Sequence, residues 1–103
     1  MAKQVKVASF NEIPEGDLKR VKVGEQEIAI YKIGGKIYAT SNICTHEQCT
    51  LDQYHAIHFD VVECTCHGSQ FDIKTGNVVI PPAVENLKTF RTQLIGNDIF
   101  VYL

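Results

Sequence analysis

All four cysteines and all four histidines of the chain fall between residues 44 and 67, in the stretch CTHEQCTLDQYHAIHFDVVECTCH. Cys44-Thr45-His46 and, seventeen residues further on, Cys64-Thr65-Cys66-His67 each offer a thiolate and an imidazole. A Cys-x-His step is too tight for the Cys-Cys and His-His knuckles of structural zinc sites, in which each pair chelates one ion. It suits a site in which the two members of each pair go to different metals. Either way, Cys44, His46, Cys64 and His67 are the expected ligands. With one zinc ion they would make a structural or interaction module; with two irons they would make a redox centre. An absorption spectrum separates the two, since a zinc protein is colourless.

The rest of the chain limits what can surround such a site. At 103 residues, 45% of them hydrophobic, it has material for one core and no room for a second active site. A net charge of −2, with no cluster of Lys or Arg, argues against nucleic acid, which needs a basic face. No apolar run is long enough to span a membrane. The opening MAKQVKVASF has neither an apolar export core nor a twin arginine, so a cytoplasmic location is expected.

The pattern along the chain is that of strands. Residues 3–10 alternate polar and apolar, and Pro14 and Gly16 then break the run. Residues 18–23 and 27–33 read as two strands joined through Gly24, and Gly34-Gly35 turns the chain into a third at 36–39. Residues 50–60, with His55 and His58, show no clear period and suggest at most a short helical turn; both histidines read as solvated loop residues. Short strands are expected at 61–63, 70–73 and 78–80, and longer ones at 87–95 and 99–103 around a Gly96-Asn97-Asp98 turn. The fold class is all-β, an antiparallel sandwich or partial barrel. Residues 1–41 and 84–103 form its base, and residues 42–83 are an inserted β subdomain carrying the ligand loops.

The pattern C-x-H-x17-C-x2-H resembles the binding motif of Rieske iron–sulfur proteins. The similarity runs on through Gly68, Ser69, Phe71 and Asp72 to Pro81-Pro82, which is similar to the family's third loop over the cluster. The resemblance implies a [2Fe–2S] cluster with Cys44 and Cys64 on one iron and His46 and His67 on the other. It also implies a disulfide between Cys49 and Cys66, as in the high-potential respiratory members; two free thiols are the alternative. Such a bridge is unusual in a cytoplasmic protein outside hyperthermophiles.

Ser69 resembles the family's hydroxyl donor to a cluster sulfur, a contact that favours the electron-rich reduced state. Phe71 stands where high-potential members carry a tyrosine, and it cannot donate. Glu47 stands where respiratory members have an apolar residue that helps dock into a quinol site, which suggests a polar or basic partner instead. The function implied is that of a soluble, monomeric one-electron carrier between a reductase and an acceptor such as an oxygenase. It is not an enzyme by itself; a small electron-transfer subunit of a larger oxidoreductase is the alternative.

Overall fold

The computed structural model describes residues 3–45 and 49–103. Eleven strands form three antiparallel sheets among these residues. β1 (Gln4–Ser9) pairs with β11 (Asp98–Tyr102), which also pairs with β10 (Thr92–Ile95). β2 (Asp17–Val23), β3 (Gln26–Ile33) and β4 (Lys36–Ser41) form a meander that β9 (Thr89–Phe90) extends. The third sheet, β5 (His55–His58), β6 (Val61–Cys64), β7 (Ser69–Asp72) and β8 (Val78–Ile80), holds the second ligand loop between β6 and β7.

β3 explains why the sheets cohere. Its centre, Ile28 to Tyr31, is buried on both faces, the pattern of a strand with core on either side. Alternate side chains enter different cores. Ile28 and Ile30 pack with Ala8, Ile13, Phe90, Ile99 and Val101 between the meander and the β1-β11-β10 sheet. Ala29 and Tyr31 pack with Leu51, Val62, Phe71, Ile73 and Leu87 against the ligand-bearing sheet, and Cys44 and Cys64 belong to this second core. Tyr31 is fully buried, and its hydroxyl meets Thr40 Oγ1 at 2.8 Å.

Two expectations need correction. Within residues 50–60 a single helical turn is confined to 50–54, where the Tyr54 amide donates to the Thr50 carbonyl at 3.0 Å, whereas residues 55–58 are strand β5, paired residue for residue with β6. His55 is accordingly not a solvated loop residue. It is partly buried, with Nε2 3.2 Å from Asp17 Oδ1, while His58 is exposed with Nε2 3.0 Å from Glu63 Oε1. The continuous strand expected at 87–95 is broken in two: β9 pairs with β4, whereas β10 pairs with β11. Alternation in sequence does not reveal a change of partner sheet.

The β5–β6 turn consists of Phe59 and Asp60, and Phe59 sits at φ 60°, the left-handed region that glycine normally fills in such turns. Its ring is 92% exposed and contributes nothing to either core. The backbone cost for a bulky side chain there is about 1–2 kcal/mol. Phe59→Gly is therefore expected to leave the melting temperature unchanged or to raise it, as a thermal unfolding scan would read.

Candidate metal centre

The first ligand loop is closed by the antiparallel bridge Ile43↔Thr50 and by the Cys44 amide donating to the Cys49 carbonyl at 2.8 Å. Its anchor is Asn42, fully buried. The Asn42 side-chain amide donates to Asp52 Oδ1 at 2.8 Å, and Asn42 Oδ1 accepts from the Asp52 amide at 3.0 Å. Main-chain bonds from Asn42 to Glu27 at 2.9 Å and from Leu51 to Asn42 at 2.7 Å fix the loop to β3. A buried amide bonded this completely holds its neighbours rigidly. The sequence alone had not singled out Asn42, although a polar residue two before a candidate ligand cysteine was the available signal.

The second loop leaves β6 at Cys64 and turns back through Gly68, whose amide donates to the Cys64 carbonyl at 2.9 Å. Gly68 needs its glycine, since it sits at φ 84°. Cys44 and Cys64 are both 1% exposed, both free thiols, and belong to the same buried cluster. His67 is exposed on the same loop. His46, Glu47 and Gln48 lie outside the described residues, so the expectations placed on His46 and Glu47 are not located.

Cys49 and Cys66 form a disulfide with a Cα–Cα distance of 6.6 Å, tying the first loop to the second. The sulfurs of Cys49, Cys64 and Cys66 lie within 4.8 Å of one another, so the bridge is packed against a candidate ligand.

A third segment completes the site. Ser69 is fully buried, stands opposite Cys64 in the β6–β7 register, and accepts the Ala83 amide on Oγ at 3.0 Å. Its hydroxyl proton is then available to another acceptor. Thr45 donates from Oγ1 to the Glu85 carbonyl at 2.7 Å. Residues 83–85 thus bridge both ligand loops, and Val84 stands 92% exposed between the two attachment points. Pro81 precedes this bridge on the exposed side and joins Pro82 by a cis peptide bond. Phe71 is fully buried, opposite Val62, in the core beneath the loops.

The electrostatics suit a metal held by sulfur. Burial pushes the Cys64 thiol up to about 11, with the neighbouring Cys44 thiol adding to the shift, while the amides of Cys66 and His67 donate toward the Cys64 sulfur and act against it. The Cys64 thiol in this dry core stays neutral by itself; a cation beside it removes that penalty and lets it bind as a thiolate. The amides pointing at one sulfur would stabilise its negative charge further. Donor types, burial and amide placement therefore fit an iron–sulfur cluster.

Ser69→Ala would leave the buried Ala83 amide without an acceptor. It is expected to cost about 1–3 kcal/mol, read by chemical denaturation.

The family description "Rieske [2Fe-2S] domain" matches residues 3–91. The biphenyl dioxygenase ferredoxin subunit of Pseudomonas sp. (strain KKS102) is 35% identical over 96 residues, covering 93% of this chain and 88% of that protein. The ferredoxin component of the naphthalene 1,2-dioxygenase system of Pseudomonas aeruginosa is 34% identical over 101 residues, covering 98% of this chain and 96% of that protein. A chain from the complex of reduced oxygenase and oxidised ferredoxin in carbazole 1,9a-dioxygenase superposes with a TM-score of 0.88 at 30% identity, covering 95% of this chain and 91% of that one.

Proposed function

Because the chain belongs to the Rieske [2Fe-2S] domain family, we propose that Cys44, His46, Cys64 and His67 hold its cluster and that the exposed tip carrying His67 is where electrons enter and leave. The chain is a ferredoxin, an electron-transfer component and not an enzyme by itself. The observation that carries the ligand assignment is the pair of adjacent buried thiols, Cys44 and Cys64, on loops locked by the Cys49–Cys66 bridge. When bound, the cluster supplies one-electron chemistry. The polypeptide keeps water from the buried thiols, aims amides at Cys64 and exposes His67. Residues 42–83 are the cluster-binding subdomain in this reading.

The partners are a reductase as donor and an oxygenase as acceptor, met by a monomeric carrier in the cytoplasm. Charge supports a basic partner surface. Between Lys36 and Lys74 the chain has no Lys or Arg, while Glu47, Asp52, Asp60, Glu63 and Asp72 lie in that span. Val84 offers an apolar contact on the segment that bridges both loops. No helix among the described residues is long and apolar enough to cross a membrane.

Anaerobic stopped-flow mixing of the dithionite-reduced protein with an oxidised Rieske-type oxygenase tests the role. One-electron reoxidation that accelerates with oxygenase concentration and slows with added salt is expected. A protein that keeps its electron, while the same oxygenase accepts electrons from another ferredoxin, would contradict it.

Phe71→Tyr tests the tuning. A new hydroxyl that bonds a cluster sulfur about 1 kcal/mol more strongly in the reduced state raises a one-electron potential by roughly 45 mV. Protein-film voltammetry reads the shift, and an unchanged or lowered potential counts against it.

A further inference from the structure

A cleft of about 580 Å³ opens between the β3–β4 turn and the β5–β6 turn, where the meander meets the ligand-bearing sheet. It lies at the far end of the β5–β6 hairpin from Cys64, roughly 10 Å along the strand. Its size is that of a small-molecule site. The walls are half-buried apolar side chains, Ile33, Tyr38 and Ile57. Phe59 stands at the rim, held in a left-handed turn position and 92% exposed, an aromatic surface that neither core uses.

Four charged side chains reach the cleft, and their partners decide its sign. Both carboxylate oxygens of Glu15 are engaged, accepting the Gly34 amide at 2.6 Å and the Gly35 amide at 2.9 Å. Asp60 faces Lys74 at 3.8 Å, a long pair. Lys36 makes no ion pair among the described residues. One acid is turned to backbone donors, one is shared with a lysine, and one ammonium is left over beside an apolar wall.

We propose that this cleft binds a small aromatic carboxylate, its ring packed between Phe59 and the Ile33, Tyr38 and Ile57 wall and its carboxylate on Lys36. A ring against an exposed aromatic edge and an anion on an unpaired ammonium are the two contacts that the cleft leaves open. The site is separate from the cluster tip, so occupancy does not compete with electron exchange there.

The test is an amide ¹⁵N–¹H NMR titration of the cluster-loaded protein with 1-naphthoate, and in parallel with neutral 1-naphthylmethanol. Saturable shifts confined to residues around 33–38 and 57–60 are expected with naphthoate, and weaker binding with the alcohol. Phe59→Gly, compatible with the turn, should weaken both ligands roughly five-fold or more. Lys36→Gln should weaken naphthoate by a similar factor and leave the alcohol unchanged. No saturable shift with naphthoate up to about 1 mM, shifts located elsewhere, equal binding of acid and alcohol, or wild-type affinity in Phe59→Gly would each overturn the proposal.

Discussion

Cys64→Ser is expected to yield a folded protein without visible colour and without bound iron, whereas Cys49→Ser keeps the colour when fresh and loses it faster on warming. The first change removes a proposed ligand. A serine oxygen is a poor substitute for a soft thiolate and adds a buried hydroxyl to the core that Cys64 joins. The second change removes a tie between two loops. The bridge closes a sequence separation of 17 residues, and cross-links of that span are worth about 3 kcal/mol by restricting the unfolded chain. Iron analysis, the visible spectrum and far-ultraviolet circular dichroism, taken together, separate the two roles. Full iron content in Cys64→Ser would remove it from the ligand set, and immediate loss of iron in Cys49→Ser would make the bridge indispensable instead of supportive.

Gly76→Ala should be the most destabilising change outside the metal centre. Gly76 sits at φ 78°, and a Cβ there would lie 2.1 Å from the Leu87 carbonyl oxygen and 3.0 Å from Thr89 Cγ2. Backbone oxygen cannot step aside as a flexible side chain can. The same glycine donates to the Asp72 carbonyl at 2.7 Å and accepts the Leu87 amide at 2.8 Å, so movement also breaks the connection between the β7–β8 turn and the segment leading to β9. The expected loss is about 3 kcal/mol or more, a fall in melting temperature of roughly 12 °C or more for a chain of this size. Gly24→Ala is the control. It has a positive φ of 60° with open space around it, so only the conformational cost of about 1 kcal/mol remains. Equal melting temperatures for the two variants would show that the clash at Gly76 relaxes freely.

Much of this was legible before any coordinates. The ligand spacing in 44–67 carried the family, and the assignment of Cys49 and Cys66 to a disulfide is borne out. The meander through Gly24 and Gly34-Gly35 was readable because strands consecutive in the chain pair with each other and the turns are glycine-marked. β5 was not readable. Histidines at both its ends give HAIH no apolar alternation, and its pairing is stabilised by β6 and by Asp17 of the meander, contacts that local pattern does not encode. The break between β9 and β10 was hidden for a similar reason, as both halves favour strand and only the sheet they join differs. At the site, the proposed ligand cysteines were visible, but the Asn42–Asp52 clamp and the Ser69–Ala83 link were not. Such polar contacts join residues whose proximity exists only after the sheets have assembled.

The central claim is mixed nitrogen and sulfur ligation of an iron pair between these loops. Electron paramagnetic resonance of the dithionite-reduced protein, with pulsed detection of nitrogen couplings, tests it most directly. A [2Fe–2S] signal with coupling to imidazole nitrogens that is altered in His67→Cys is predicted. A reduced cluster with no nitrogen coupling, or a protein with no such signal and a single bound zinc, would contradict it.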